Sequence, residues 1–156
     1  MNILGLMSGT SMDGVDICVA NLKIDENDNM IYKIIDSIYI PYNSKMRKII
    51  HDTIFYKSYS LDFIDSCLGN LFSDMIIENI KNKNIDFISS HGQTLSHKDK
   101  EYSVQVGNPR IIHERTNIPV VSNFRQDDIE CGGNGAPLMP LLDWFLFKNN
   151  KRNVIT

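Results

Sequence analysis

No apolar stretch in this chain approaches the ~20 residues that a bilayer-spanning helix requires. The N-terminus has no basic segment followed by an apolar one, so no signal peptide is expected there. Cationic surplus is missing too, since 16 Lys and Arg stand against 19 Asp and Glu, a net charge of -3. Nucleic acids and anionic membranes recruit a clustered Lys/Arg excess, so neither is an expected partner. The short basic groups, Lys81 with Lys83 and Lys148 to Arg152, read as solvated helix ends. Cysteine is scarce as well. Cys18, Cys67 and Cys131 lie far apart without C-x-x-C spacing, which argues against a disulfide framework and suits a reducing, cytoplasmic location. What remains is ordinary globular material: 156 residues, 42% hydrophobic and 22% charged, enough for one domain with a real core.

Alternation and turn residues predict strands over 2–8, 15–24 and 31–40, the first two as a hairpin. Ser44 is expected to cap a short helix carrying Met46, Ile49, Ile50 and Ile54. A longer helix is expected from Ser60 to Lys81, because Phe63, Ile64, Leu68, Leu71, Phe72, Met75, Ile76 and Ile80 keep an i, i+3/i+4 rhythm. Short strands follow at 86–90, 102–106 and 119–122, with a proline-started helix at 109–116. A Gly-rich loop, 123–135, leads to an apolar helix at 137–147, and Asn153 to Thr156 reads as the opening of a strand. The pattern implies one mixed sheet packed with helices, an α/β domain. A chain ending on entry to a strand is expected to be one lobe of a larger protein.

Three stretches can carry chemistry. The first is the hairpin turn in GLMSGTSMDGVD, Gly5 to Asp16, whose glycines and small hydroxyls offer backbone N–H groups to an anion such as a nucleotide phosphate. Carboxylates beside phosphates need an intervening cation, so Asp13 or Asp16 would orient Mg²⁺ through water. A plain hairpin with structural glycines is the competing reading.

The second is SHGQTLSH, Ser90 to His97, at the C-terminal end of the strand at 86–90, where α/β sheets usually hold ligands. His91, Gln93, Thr94 and His97 suit a hydroxyl-rich substrate, while a polar loop with one capping histidine is the alternative. Zinc on His91, His97 and Cys131 lacks any supporting ligand spacing. The third is VVSNFRQDDIECGGNGAPLMP, Val120 to Pro140. There Arg125 could fork onto a carboxylate or phosphate, and Asp127 and Asp128 could hold a cation or pair with Arg125. The lysine of a P-loop and the G-x-G-x-x-G fingerprint are both missing from the glycine run, and Cys131 has no evident base.

In order and spacing, these three stretches, with VQVGNP (Val104 to Pro109) after the second, resemble the anhydro-N-acetylmuramic acid kinases along the whole chain. The resemblance implies a ribonuclease H-like mixed sheet with flanking helices, the first lobe of an actin-like two-lobed ATPase fold. It implies ATP and Mg²⁺ as cofactors and a small sugar as substrate. The 1,6-anhydro ring is opened with water and O6 is phosphorylated, giving N-acetylmuramic acid 6-phosphate for peptidoglycan recycling. Gly9, Thr10, Ser11, Met12, Asp13, Gly14, Val15 and Asp16 match the family's ATP-phosphate motif. Arg125 is expected at the sugar or its lactyl carboxylate, with His91, Gln93 and His97 in the same pocket.

Such chemistry also needs a base to activate water. In the family that base is an aspartate of a DTGPGN-like motif, which these residues do not contain. No catalytic residue is therefore expected within the chain, and the base is expected beyond Thr156. The expectation is the N-terminal lobe of a kinase, truncated and inactive by itself, whose exposed edge a homodimer could cover. The alternatives are a non-catalytic nucleotide- or sugar-binding module and a decayed remnant.

Overall fold

The computed structural model describes residues 1–81 and 83–148. Strands β1 (Asn2–Ser8), β2 (Gly14–Ile24) and β3 (Met30–Pro41) form an antiparallel meander. Two helices follow, α1 (Ser44–Tyr56) and α2 (Leu61–Asn79), and the chain then returns as β4 (Phe87–Lys98), parallel to β1. β5 (Tyr102–Val106) folds back antiparallel on the far end of β4. Helix α3 (Pro109–Thr116) leads to β6 (Val120–Val121), parallel to the near end of β4. Helices α4 (Phe124–Glu130) and α5 (Met139–Phe147) complete the described chain. The sheet order is β3-β2-β1-β4-β5, with β6 also on β4.

One face of the sheet carries the core. Alternation in β1 and β2 sends Leu4, Leu6, Val15, Ile17 and Val19 to the same side, where with Ile88 they meet Ile50, Ile64, Leu68, Phe72, Ile76 and Ile112 of the helices. Each such side chain, buried whole, contributes about 1.5–3 kcal/mol. α2 follows its apolar rhythm closely, and the Ser60 hydroxyl accepts from the Phe63 N–H at its start. Phe63 is the exception, exposed and stacked on Tyr59. The opposite face of the sheet leaves Met7, Tyr32, Ile34 and Tyr39 exposed, and α5 buries none of its residues.

The structure corrects several boundaries. Asn43, not Ser44, caps α1: its backbone is extended and its side-chain oxygen accepts from the Met46 N–H at 2.8 Å. β4 does not end at Ser90 but runs on to Lys98, because β5 supplies a partner for its polar half. The expected 123–135 loop contains α4, which buries no residue and so shows no apolar periodicity. The strand expected from Asn153 to Thr156 lies outside the described residues, and so does the base expected beyond Thr156. All three cysteines are free. Among the described residues, no helix is long and apolar enough to cross a membrane.

Candidate functional site

The β1–β2 turn spans residues 9–13 and is closed by the Met12 N–H donating to the Gly9 carbonyl at 3.3 Å. Gly14 has to be glycine: a Cβ there would lie 2.5 Å from the Ile40 carbonyl oxygen and 2.8 Å from the Tyr39 ring. That close approach lets β3 buttress the turn, and the Tyr42 N–H donates to the Asp13 carbonyl at 2.9 Å. The Thr10 and Ser11 N–H groups have no intramolecular acceptor among the described residues, which suits an anion. The Ser11 hydroxyl donates to Asp13 Oδ1 at 2.5 Å. This bond first, then the N–H groups of Asp13 and Gly14 and the Arg47 charge, holds the Asp13 carboxyl below the usual range against a small burial cost. Asp16 lies exposed on the open face of the sheet, paired in register with Met7. Among the described residues no three His, Cys, Asp or Glu side chains gather around a common point. A cation at Asp13 or Asp16 would have to take most of its ligands from water and phosphate, as Mg²⁺ can.

Beneath the turn lies a buried polar network. The Gln93 side chain is fully buried; its Oε1 accepts from the Ser8 hydroxyl at 2.7 Å and its Nε2 donates to the Gly9 carbonyl at 2.7 Å. Ser8 Oγ also lies 2.8 Å from the Tyr42 hydroxyl. Burial pushes the Tyr42 phenol up, so it stays protonated and donates to Ser8, leaving the single Ser8 proton for Gln93 or for the Gly14 carbonyl at 3.0 Å. Gln93 thus reaches the β1–β2 turn from β4, and both ends of its amide are engaged there.

Two residues earlier on β4 is His91. Its Nδ1 lies 2.9 Å from the Gly92 carbonyl, so Nδ1 is the protonated nitrogen and Nε2 is free to accept. Arg125 Nε donates to that Nε2 at 2.9 Å, and Arg125 Nη1 donates to the Gly135 carbonyl at 2.8 Å. Burial foremost, with the Arg125 charge, holds the imidazole below its ordinary value of 6.5 despite the Gly92 and Ser8 contacts. α4 carries Arg125 to this position, and Asp128 Oδ2 accepts the Gly135 N–H to fold the glycine loop back against it. His91 stands in the wall between two hollows. One is an apolar hollow on the open face, reached by Gly5, Met7, Asp16, Cys18 and Phe124. The other is a crevice of about 320 Å³ lined by residues of β4, β5, α2 and the β6–α4 junction.

The structure therefore joins His91 with Arg125 and Gln93 with the turn. His97 sits apart, Nδ1 3.0 Å from the Ser103 hydroxyl and Nε2 2.9 Å from Asp99. Asp127 accepts from the Asn123 side chain, so the bonds of Arg125 and of the two aspartates run elsewhere than to each other. Sequence reasoning took Ser8 as one of the anion-facing hydroxyls of the turn and missed Tyr42; both support the turn from beneath. It also missed Asp65, whose carboxylate accepts from the Gly107 N–H at 2.9 Å and the Asn108 side-chain amide at 2.7 Å. Gln105 lay in the quoted VQVGNP run without a role. Only spatial pairing shows these, since nothing local in sequence marks them.

Several curated anhydro-N-acetylmuramic acid kinases align with nearly the whole chain. That of Clostridioides difficile (strain 630) is 35% identical over 99% of this chain and 44% of its own length. That of Sulfurovum sp. (strain NBC37-1) is 38% identical over 97% of this chain and 44% of its own. That of Caldanaerobacter subterraneus subsp. tengcongensis is 34% identical over 97% and 42%. The chain thus spans less than half the length of the curated relatives it matches. The family's own sequence model matches residues 1–156 in full, and the chain belongs to the anhydro-N-acetylmuramic acid kinase family.

Proposed function

We propose that this chain is the N-terminal lobe of a cytoplasmic kinase that opens the 1,6-anhydro ring of anhydro-N-acetylmuramic acid with water. The same enzyme transfers the γ-phosphoryl group of ATP to O6, and its product, N-acetylmuramic acid 6-phosphate, enters peptidoglycan recycling. The observation that carries this reading is the Gln93 side chain, which ties a turn with free N–H groups to the strand bearing the His91–Arg125 pair. An anion site and a polar pocket are thereby held in fixed relation, as phosphoryl transfer between two bound substrates requires.

In this reading residues 9–16 hold the ATP phosphates, with the Thr10 and Ser11 N–H groups as donors. Asp13 and Asp16 orient Mg²⁺ through water, and the bound Mg²⁺–ATP supplies the phosphoryl group. Arg125 meets the sugar or its lactyl carboxylate with the Nη2 that its other bonds leave over, and neutral His91 keeps its guanidinium turned to that side. Gln93 positions the turn and does not touch the sugar. The β-meander followed by parallel β4 and β6 is the order a ribonuclease H-like first lobe would have, and the exposed face with Met7, Ile34 and Tyr39 is where we place the second lobe. Water activation is assigned to an aspartate beyond Thr156, so turnover is expected only of a longer polypeptide.

Calorimetric titration tests the reading. The chain is expected to bind Mg²⁺–ATP, with Asp13→Asn weakening that binding and removing its Mg²⁺ dependence. A wild-type chain that binds neither Mg²⁺–ATP nor the anhydro-sugar would overturn it.

A further inference from the structure

β4 changes neighbours along one of its edges, and the sheet forks there. β6 pairs with Ile88 and Ser89, and β5 pairs from Gln93 onward. β6 runs parallel to β4 and β5 antiparallel, so the C-terminal ends of both strands converge on the gap at residues 90–92 from opposite sides. The crevice of about 320 Å³ occupies this gap, with Ser90 and Gly92 from β4, Gln105 and Gly107 from the β5 end, and Ser122 from the β6 end. The carboxyl ends of strands, at a point where the strand order changes, are where α/β sheets form ligand crevices.

Two buried polar atoms on residues that line the crevice have no partner among the described residues. They are Ser90 Oγ, on a residue only 1% exposed, and Gln105 Oε1. The other end of the Gln105 amide is engaged, Nε2 donating to the Ser103 hydroxyl at 2.7 Å, and Oε1 is the end without a partner. An unmet buried hydroxyl or carbonyl is costly, so a pair on the lining of one crevice asks for a ligand. The Asp65 carboxylate, also in the lining, sets the charge preference, because its negative charge disfavours an anion.

We propose that this fork is a subsite for an uncharged group carrying both a donor and an acceptor, an acetamido or hydroxyl group of a sugar. The ligand N–H or O–H donates to Gln105 Oε1, and the Ser90 hydroxyl donates to the ligand oxygen. This rests on the sugar reading above and deepens it. The neutral part of the substrate enters the fork, while an anionic substituent is left to Arg125 on the other side of His91.

Saccharide titrations of the whole chain, followed by amide NMR, provide the test. N-acetylglucosamine is expected to shift the signals of residues 90–92 and 105–107, and glucose separates the two chemistries: an acetamido subsite responds to the first sugar only, a hydroxyl subsite to both. Ser90→Ala and Gln105→Met are each expected to weaken binding about tenfold. Ser90→Ala should at the same time leave the melting temperature unchanged or raise it, since it removes an unmet buried hydroxyl. A melting temperature several degrees lower, or variants that bind like wild type, would overturn the proposal, as would a wild-type chain that binds no saccharide. Mg²⁺–ATP added to the same sample tells the two failures apart: nucleotide binding without saccharide binding removes the fork subsite alone, and loss of both removes the kinase reading as well.

Discussion

Arg125 Nε donates a hydrogen bond to His91 Nε2 at 2.9 Å, a contact that exists only while the imidazole is neutral. Protonating Nε2 would place two donors face to face and add a second positive charge beside the guanidinium. The folded-state value of His91 lies below its ordinary 6.5, so the unfolded chain takes up the proton first as pH falls. The stability this pair contributes is therefore fully present above about pH 6.5 and is lost as pH drops through the folded value. Urea unfolding between pH 5.5 and 7.5 checks this. The wild type should lose stability on acidification relative to His91→Gln, and parallel pH profiles of the two proteins would contradict it.

Gln93 is the residue on which the turn geometry depends most. Gln93→Leu leaves the Ser8 hydroxyl and the Gly9 carbonyl without their partner in a site closed to water. The expected cost is about 3 kcal/mol, with faster amide hydrogen exchange in residues 9–14 than in the β1–β2 core. Gln93→Glu separates the two bonds: a carboxylate still accepts from Ser8 but has no proton for Gly9. Its burial raises the carboxyl, so this variant should regain stability as pH is lowered, the reverse of the His91 effect. Equal exchange rates in the turn of wild type and Gln93→Leu would mean that the amide does not position it.

The β1–β2 hairpin and α2 were legible from sequence because each announces itself locally. Leu4, Leu6, Val15, Ile17 and Val19 alternate, and Ser60 followed by Ile64, Leu68 and Phe72 marks a capped amphipathic helix. β4 was only half legible, since His91 to His97 looks like loop sequence until β5 pairs with it. α4 was hidden because a short helix with no buried face leaves no period to read. At the site, the candidate segments could be read from residue type, but the direction of a side chain could not. Gln93 looked like a sugar contact by composition, yet its amide turns inward to Ser8 and Gly9. The fork between β5 and β6 depends on strand pairings between segments distant in the chain, and no local pattern encodes it.

Gly107 and Gly132 both have positive φ, 123° and 93°, yet they differ in surroundings. A Cβ on Gly107 would overlap Phe72 Cε2, in the packed core, whereas one on Gly132 meets nothing within 4 Å. Gly107→Ala combines backbone strain with overpacking and is expected to cost about 3–4 kcal/mol. Gly132→Ala carries only the conformational part, about 1 kcal/mol. Thermal unfolding of the two variants gives the comparison; equal losses would show that Phe72 yields to the added methyl.

Asp65 organises the lower wall of the fork through Asn108. Its carboxylate receives the Gly107 N–H and the Asn108 side-chain amide, while its carbonyl receives the Asn108 N–H at 3.1 Å. Asn108 in turn caps α3, with Oδ1 accepting from the N–H groups of Arg110 at 3.0 Å and Ile111 at 3.2 Å. The two residues form one chain of bonds from α2 to the start of α3, so their contributions cannot be independent. Asp65→Ala is expected to cost about 2 kcal/mol, through loss of charge-assisted bonds, and Asn108→Ala about as much, through loss of the cap and of Asp65 together. The double variant should then fall short of the sum by about 1 kcal/mol. Denaturant unfolding of the four proteins closes this cycle, and strict additivity would show that the cap on α3 holds without help from α2.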